Sequence, residues 1–259
     1  MPPANVFITG ANSGIGAALA RHYAAAGATL GLFARREAGL LELAATLPPG
    51  RVATYAGDVR DRATLERAAA DFVARFGAPD VVIANAGISR GTVTGHREDL
   101  DDFRAVFDTN VLGLVHTFHA FLAPMRKRRA GTLVGIASVA GFRGIPGSGA
   151  YSASKAAAIT YLESLRVELR GSGIAVVTVC PGYIATPMTE HNPYPMPFLL
   201  RVEKAARLIA LAIERRQRFY VLPWQMALVG RVLRVLPRPL YDAAFAHAPR
   251  KPRRASGPP

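Results

Sequence analysis

Two residues with complementary proton chemistry, Tyr151 and Lys155, lie four positions apart at the start of a helix-forming segment. This spacing places both side chains on one helix face, one turn apart. A tyrosine normally loses its proton at about pH 10, and a nearby ammonium group lowers that pKa by favouring the phenolate. Ser138 precedes this pair and could hold a substrate oxygen beside Tyr151. The alternative interpretation is an exposed amphipathic helix face without catalysis.

A glycine-rich turn follows the first strand-like segment and precedes a long alanine-rich segment. Its candidate cofactor-binding residues are Gly10, Asn12, Ser13, Gly14, Ile15 and Gly16. Glycines here permit a sharp turn and let backbone N–H groups approach a pyrophosphate. The sequence therefore predicts a dinucleotide site, although the same residues could form a tight strand-to-helix turn without a ligand.

Two arginines, Arg35 and Arg36, follow the second strand-like segment, where an NAD site usually presents an acidic side chain to the adenosine ribose. A carboxylate would repel a 2′-phosphate, whereas the guanidinium of Arg35 can bind one through two hydrogen bonds, with Arg36 as a helper. The pattern favours NADP(H), while NAD(H) remains the alternative cofactor. The two charges could also be solvated residues that open the next helix.

Short polar and small residues close the third and fourth strand-like segments. These are Asp58, Val59, Asn85, Ala86 and Gly87. Asp58 could accept a hydrogen bond from the adenine amino group, and the small side chains of Ala86 and Gly87 give the dinucleotide room. Asp, Asn and Gly are also common in turns, so strand-end turns are the competing interpretation.

Strand-like and helix-like segments alternate along the chain. Short β-branched, apolar runs occur at residues 6–9, 29–34, 52–56, 80–85, 132–137, 175–180 and 219–222. Helix-length segments rich in Ala, Leu, Arg and Glu separate them, for example 14–26, 61–76 and 151–170. This alternation predicts an α/β fold, a doubly wound parallel sheet of the Rossmann type with helices on both faces. Ligands should bind beyond the carboxyl ends of the strands.

Taken together, these motifs resemble the short-chain dehydrogenase/reductase family in its compact single-domain branch. The likeness covers residues 6–186. It rests on the glycine-rich turn, Asp58, the Asn85-Ala86-Gly87 sequence, Asn110, Ser138, the Tyr151/Lys155 pair, Pro181-Gly182 and Thr186, all in the family's order. One departure is Ala84, where the family usually has a second Asn before Asn85.

The resemblance implies hydride transfer at C4 of a nicotinamide and a catalytic group of Asn110, Ser138, Tyr151 and Lys155. Tyr151 would donate a proton to the carbonyl oxygen, and Ser138 would hydrogen-bond the same oxygen. Lys155 would hold the nicotinamide ribose and lower the pKa of Tyr151. Asn110 would support a water that relays protons to Lys155. The competing interpretation of Asn110 is a helix-interior amide satisfied by the backbone.

Further cofactor contacts are implied near the nicotinamide, from Pro181, Gly182, Ile184 and Thr186, the last touching the carboxamide. The resulting hypothesis is an NADP(H)-dependent carbonyl reductase or alcohol dehydrogenase. Its alternatives are an NAD-preferring dehydrogenase of the same family and a catalytically idle module that binds a membrane or a partner. The family also contains dehydratases and epimerases, so the fold alone does not fix the reaction.

Two loops, residues 139–150 and 187–200, should shape the substrate pocket. The second is apolar, and its prolines exclude a long regular helix. We therefore expect a lipophilic ketone, aldehyde or secondary alcohol. The alternative is that these apolar residues only cover the core.

The formal net charge of +14 is concentrated near the end of the chain. Residues 201–259 hold 13 Lys or Arg against 3 Asp or Glu. No zinc-ligand spacing, helix-turn-helix or RNA-binding motif accompanies them, so we expect no nucleic-acid binding. Residues 1–222 should form the catalytic domain, 223–247 an apolar and basic C-terminal segment, and 248–259 a disordered basic tail.

The C-terminal segment has two interpretations. Trp224, the apolar residues up to Leu236 and the arginines Arg231, Arg234 and Arg238 could lie in a membrane interface, with Arg250, Lys251, Arg253 and Arg254 held by anionic lipid. The segment could instead pack on its own sheet or on a neighbouring subunit. We also expect a homo-oligomer, either a dimer or a tetramer.

The remaining composition is that of a soluble globular protein of 259 residues, long enough for one large α/β domain. Cys180 is the single cysteine, so no internal disulfide is required. We find neither a signal peptide nor an uncharged apolar run of about 18 residues, and we expect a cytoplasmic location. We expect no metal, since His96, His116, His119 and His191 have no metal-ligand spacing and should be surface or core histidines.

Overall fold

Helices and strands alternate through most of the chain. The computed structural model describes residues 4–190, 192 and 194–253. The first half contains β1 (Asn5–Thr9), α1 (Gly14–Ala25), β2 (Thr29–Ala34), α2 (Glu37–Ala45), β3 (Val52–Ala56), α3 (Arg62–Phe76), β4 (Val81–Ala84), α4 (Asp99–Phe107), a π-helical turn (Asp108–Leu112) and α5 (Gly113–Arg128). The second half contains β5 (Gly131–Ile136), a 3-10 turn (Val139–Gly141), α6 (Gly149–Glu168), β6 (Ile174–Pro181), β7 (Ile184–Ala185), β8 (Leu200–Arg201), α7 (Val202–Glu214), β9 (Phe219–Leu222), α8 (Trp224–Val235) and α9 (Arg238–Phe245).

Seven parallel strands form the central sheet, in the order β3-β2-β1-β4-β5-β6-β9. The order reverses direction between β1 and β4, which is the point where ligands bind in doubly wound sheets. The strands expected from the sequence are confirmed, with bounds that differ by at most a residue or two. The short pair β7–β8 forms a separate parallel ladder beyond the end of β6.

Side chains of alternate strand residues point to opposite faces of the sheet, and helices bury both faces. Val6 and Ile8 of β1 contribute to a core shared with α1, α2 and α7. Phe7, between them, joins the core of α3, α5 and α6, where its ring centroid lies 4.5 Å from that of Phe121. Because one sheet supports both cores, the chain forms a single domain of the predicted class.

Residues 236–253, here called the C-terminal arm, turn back from α8 across the loops after β4 and β5. Arg143 donates hydrogen bonds to the carbonyl oxygens of Leu233 (2.8 Å) and Leu236 (3.0 Å). The Tyr241 hydroxyl donates to the carbonyl oxygen of Gly144. The arm therefore packs on the loop that precedes α6.

The last described residues reach the loop after β4. Lys251 Nζ lies 2.8 Å from Ser89 Oγ, and Arg253 pairs with Asp99 at 2.7 Å and with Glu98 at 2.8 Å. Lys251 and Arg253 thus have partners far away in sequence, which favours the interpretation in which the segment packs on its own chain. The disorder expected for residues 248–259 stays a prediction. Residues 254–259, including Arg254, lie outside the described part.

Candidate active site

A cavity of about 510 Å³ lies along the carboxyl ends of the central strands. It is lined by nearly all the residues that the sequence singled out, namely Gly10, Asn12, Ser13, Gly14, Ile15, Arg35, Arg36, Asp58, Val59, Asn85, Ala86, Gly87, Ser138, Tyr151, Lys155, Pro181, Gly182, Ile184 and Thr186. Two of the predicted residues, Gly16 and Asn110, are not part of its wall. The candidate cofactor residues and the candidate catalytic residues therefore share one cavity.

The glycine-rich turn has a backbone that favours glycine. Gly10 and Gly14 adopt φ angles of +65° and +53°. At Gly16, a Cβ atom would lie 2.3 Å from the carbonyl oxygen of Gly10 and 2.6 Å from Asn85 Nδ2. Gly16 thus lets helix α1 pack closely on the turn. The turn leaves the N-terminus of α1 facing the cavity, a suitable environment for a phosphate.

Asn85 connects the turn after β1 to the end of β4. Its side-chain Nδ2 donates to the carbonyl oxygens of Thr9 (3.0 Å) and Gly10 (3.1 Å). The Thr9 hydroxyl in turn accepts from the backbone N–H groups of Asn85 and Ala86. Asn85 is therefore a cross-strand connector that holds the glycine-rich turn in place.

Arg35 and Arg36 lie where the sequence predicts the adenosine end of the cofactor. Arg36 Nε and Nη2 both lie 3.1 Å from the side-chain oxygen of Asn12, in the amide orientation that satisfies both residues. The Arg35 side chain is 57% exposed, and its Nη1 is 4.0 Å from Asp58 Oδ2. The cavity wall at this end therefore carries two guanidinium groups.

The carboxylate of Asp58 has a hydrogen-bond partner that was not predicted from the sequence. Arg60 Nη2 lies 2.8 Å from its carboxylate, and the backbone N–H of Arg60 also donates to it. Burial raises the pKa of Asp58, but these hydrogen bonds outweigh it and hold the pKa below its usual value. Binding of an adenine amino group by Asp58 stays a prediction, and it would share the carboxylate with Arg60.

Tyr151, Ser138 and Lys155 converge because α6 begins just after the loop that follows β5. Lys155 is buried, and its Nζ donates to the carbonyl oxygen of Ile136 at 2.8 Å. The same Nζ lies 5.7 Å from the centroid of the Tyr151 ring. Ser138 Oγ accepts from the Ala140 N–H, while its own donated bond, to the carbonyl oxygen of Pro181, is long at 3.4 Å.

The protonation of this group differs from the expectation that Lys155 lowers the pKa of Tyr151. Burial raises the pKa of Tyr151, and a hydrogen bond with Ser138 only partly offsets this. Burial also lowers the pKa of Lys155 to about 8. The reason is that both groups lie in a desolvated wall, where each charged form is disfavoured. The phenol is consequently protonated at neutral pH, as a proton donor must be.

Asn110 lies in the π-helical turn, behind the cavity wall. Its Oδ1 accepts from the backbone N–H of Ile88 at 2.8 Å, and its Nδ2 donates to the Ile88 carbonyl and to Ser154 Oγ, both at 3.0 Å. The side-chain amide of Asn110 is thus satisfied by backbone groups, as the competing interpretation expected. These groups belong to the loop after β4, however, and not to its own helix. A Cβ atom at Gly87 would lie 3.2 Å from Asn110 Oδ1 and 3.5 Å from Lys155 Nζ. The water relay stays a prediction.

Thr186 and the residues after it cover the opposite side of the cavity. Thr186 Cγ2 would lie 3.3 Å from a Cβ atom at Gly14, so this threonine lies over the glycine-rich turn. Met188 and Thr189, from the expected substrate loop, line the cavity. Further along the same loop, the Tyr194 ring centroid lies 6.4 Å from that of Tyr183. Tyr194 is also close enough to Tyr151 to raise its pKa.

Several lining residues were not found from the sequence, namely Ala34, Gly57, Ile88, Thr109, Ile136 and Ala137. Most are apolar or small and have no chemical signature. Position gives a partial signal, since Ile88 directly follows the Asn85-Ala86-Gly87 sequence and Ala137 directly precedes Ser138.

The histidines are dispersed. His116 Nδ1 lies 3.0 Å from the carbonyl oxygen of Val59, His119 lies 3.7 Å from Glu66, and His96 lies 3.8 Å from Glu98. His191 lies outside the described residues. Within the described ranges, no group of three or more His, Cys, Asp or Glu side chains is placed to hold a metal ion.

The arrangement can hold a carbonyl oxygen between two hydroxyl groups and protonate it. Tyr151 provides an acidic proton, Ser138 provides a second hydrogen bond, and Lys155 provides a buried donor beside them. The other end of the same cavity has a helix N-terminus and two arginines, which suit phosphate groups.

Comparisons with known proteins agree with this arrangement. A family model for short chain dehydrogenases matches residues 4–195. An uncharacterized oxidoreductase of Myxococcus xanthus is 41% identical over 244 residues, which cover 92% of this chain and 94% of that protein.

Two solved structures have the same fold over nearly their whole length. A Burkholderia phymatum short chain dehydrogenase/reductase in complex with NAD has a TM-score of 0.80 at 27% identity, covering 96% of each chain. A Burkholderia cenocepacia short chain dehydrogenase in complex with NADP has a TM-score of 0.81 at 25% identity, covering 95% of this chain and 98% of that one. The similar structures thus include complexes of both cofactors.

Proposed function

Because the chain belongs to the short-chain dehydrogenase family, we propose that it transfers a hydride between NADP(H) and a carbonyl or secondary alcohol group of a lipophilic substrate. One observation carries the proposal. Tyr151, Ser138 and Lys155 line one part of a cavity whose wall elsewhere includes the glycine-rich turn, Arg35 and Arg36. The general assignment, an oxidoreductase acting on CH–OH and C=O groups, follows from the family.

The residues present fit a dinucleotide. The close approach of Gly16 to Gly10, and the left-handed backbone of Gly10 and Gly14, keep side-chain carbons away from the turn. The pyrophosphate would be held by backbone N–H groups of this turn, and the nicotinamide ribose by Tyr151 and Lys155. A bound nicotinamide dinucleotide would supply or accept the hydride.

In the direction of reduction, this chain provides the proton and the positioning. Tyr151 donates its phenolic proton to the substrate oxygen. Ser138, whose bond to the Pro181 carbonyl is long at 3.4 Å, turns its hydroxyl towards the same oxygen and stabilises the negative charge that develops there. Lys155, held by the Ile136 carbonyl, keeps a positive charge beside this oxygen at pH values below its pKa of about 8.

The preference for NADP(H) over NAD(H) depends on Arg35. We expect Arg35→Ala to weaken NADPH binding about 10- to 100-fold and NADH binding little, because a hydrogen bond to a charged group contributes roughly 1.5–3 kcal/mol. Fluorescence titration of both cofactors measures this. Arg62→Ala is the matched control, since Arg62 is an exposed arginine that does not line the cavity.

An equal loss of affinity for both cofactors in Arg35→Ala would contradict a contact between Arg35 and the 2′-phosphate. Tighter binding of NADH than NADPH by the wild-type protein would establish the NAD-preferring alternative. Binding of neither nucleotide would favour a catalytically idle module.

A lipophilic substrate is supported by the loop after β7. Met188 lines the cavity, and Tyr194, whose ring lies 6.4 Å from that of Tyr183, is near enough to Tyr151 to raise its pKa. For a series of ketones of increasing chain length, we expect kcat/KM to rise about fourfold per methylene, since each buried CH₂ contributes ~0.8 kcal/mol. The series is measured with NADPH at a fixed concentration. Activity restricted to small polar carbonyls would refute this substrate class.

The assembly and the location stay predictions. We expect a dimer or tetramer, which sedimentation velocity would measure, and a cytoplasmic location. No helix in the described ranges is long and apolar enough to cross a membrane.

A further inference from the structure

Helix α8 has its apolar side chains on two opposite faces. One face is buried, with Met226 against Gly182 and Gly230 against the ring of Phe142. The opposite face, here called the apolar stripe, consists of Trp224 (72% exposed), Leu228 (57%), Val232 (50%) and Val235 (81%). These positions recur at the three- and four-residue spacing of one helix face. A surface helix normally has polar residues there, and an exposed apolar stripe of this kind is typical of an interaction site.

Positive charge surrounds the apolar stripe. Arg231 lies within it by helical spacing, and Arg238 begins the next helix. A pocket of about 340 Å³ between α6, β9 and α8 is lined by three further arginines, Arg166, Arg218 and Arg234, and by one acidic residue, Glu163, which is 3.7 Å from Arg166. The apolar stripe and the arginines on α8 and at the start of the next helix therefore favour an apolar partner with negative charge.

The described part of the chain does not cover the apolar stripe. The C-terminal arm leaves α8 in another direction and packs on the loops after β4 and β5, where Lys251 and Arg253 have partners. A second copy joined by a two-fold axis through the stripe would place Arg231 near its own equivalent. That contact would bring like charges together in a desolvated interface.

We propose that α8 lies in the headgroup region of an anionic lipid bilayer. Trp224, Leu228, Val232 and Val235 enter the boundary between headgroups and acyl chains, and Arg231 and Arg238 pair with lipid phosphates. Arg166, Arg218 and Arg234 form a pocket that takes one further lipid phosphate. The basic residues at the end of the C-terminal arm do not take part, because they are bound to Ser89, Glu98 and Asp99. This binding goes beyond the proposed reaction and does not depend on it.

Trp224 is the single tryptophan of the chain, so its fluorescence reports on α8 alone. The full chain is mixed with vesicles of phosphatidylcholine, or of phosphatidylcholine with phosphatidylglycerol, and co-sedimentation is measured in parallel. We expect a blue shift of the emission and recovery in the pellet only with the anionic vesicles. Leu228→Ser/Val235→Ser, which keeps Trp224, should weaken this partitioning about tenfold or more.

The matched control is Leu41→Ser/Leu100→Ser, which removes two leucines of similar exposure (54% and 56%) from α2 and α4. It should partition like the wild type. Both double variants should keep the melting temperature and the NADPH affinity of the wild type when measured without vesicles. Loss of membrane binding can then be distinguished from loss of cofactor binding or of the fold.

Three results would overturn the proposal. The first is binding to anionic vesicles without a shift of the Trp224 emission, or with equal strength in Leu228→Ser/Val235→Ser. This would show that the charge of +14 alone attracts the protein. The second is binding to neither vesicle. The third is a dimer that Leu228→Ser/Val235→Ser dissociates, which would make the stripe an interface between copies.

Discussion

Tyr151→Phe is expected to lower kcat for carbonyl reduction by about 10²- to 10⁴-fold, the usual contribution of a general acid. The substitution removes one hydroxyl and keeps the aromatic ring in the cavity wall. The burial that raises the pKa of Tyr151 keeps its phenol protonated at neutral pH, so the wild-type enzyme begins reduction with the proton in place. Steady-state kinetics with NADPH and a lipophilic ketone provide the measurement.

Tyr161→Phe is the matched control, because Tyr161 lies on the same helix α6 but does not line the cavity. It should keep full turnover. The melting temperature of Tyr151→Phe should stay close to that of the wild type, and its NADPH affinity should fall far less than its turnover, which separates lost chemistry from lost binding. Unaltered turnover in Tyr151→Phe would refute the assigned mechanism.

Lys155→Met is expected to have two opposite effects. It should lower kcat by about 10²-fold or more, because it removes a positive charge and a donor from the reacting centre. It should also stabilise the folded protein at pH 7. The pKa of Lys155 falls from 10.5 to about 8 on burial, which corresponds to a cost of roughly 3 kcal/mol at 1.36 kcal/mol per pKa unit. Losing the hydrogen bond to Ile136 offsets roughly 1.5–3 kcal/mol of this, as for other bonds to charged groups, leaving a net gain of about 1 kcal/mol.

The pH dependence of this gain has a definite sign. At pH values below about 8 the ammonium is charged in both states, so the wild-type protein has the full burial cost. As pH rises through this value towards 10.4, the folded state releases its proton first, and the free energy of unfolding of the wild type increases. The difference between Lys155→Met and the wild type should therefore shrink over this interval.

Urea unfolding at several pH values measures the difference, with Lys204→Met as the control at an exposed lysine of α7. The control should change neither kcat nor the slope of stability with pH. A variant that is less stable than the wild type at pH 7 would show that the hydrogen bond of Lys155 outweighs its burial cost.

The sheet and the cavity wall could be predicted from the sequence because their signals are local. A buried parallel strand such as β5 is a short apolar run, and a turn such as the one at Gly10 and Gly14 requires glycine. The order of the motifs then brings Ser138, Tyr151 and Lys155 to one edge of the sheet, since parallel strands end on the same side.

Properties that depend on burial could not be predicted in this way. The spacing of Tyr151 and Lys155 suggested that Lys155 lowers the pKa of Tyr151, but both pKa values depend on how far the folded wall excludes water. The partner of Asp58 was missed for a simpler reason. Arg60 is only two residues away, but an exposed arginine at this spacing has no local pattern that marks it as a partner of Asp58.

For the end of the chain, composition and long-range contacts point to different expectations. A run rich in Pro and Arg is typical of disorder. Arg253 is nevertheless paired with Asp99 across 154 positions, and no local pattern reports such a contact.

The position of the C-terminal arm affects the order in which the molecule can be assembled. During synthesis the strands from β1 to β6 can pair before α8 leaves the ribosome, since every neighbour they need has already emerged. The loops on either side of the reacting centre, at Ser89 and Gly144, obtain their contacts with Lys251 and Tyr241 only when the last part of the arm has been made. Strands β1 to β6 can thus pair before the arm is made, while the loops beside the reacting centre obtain these contacts only afterwards.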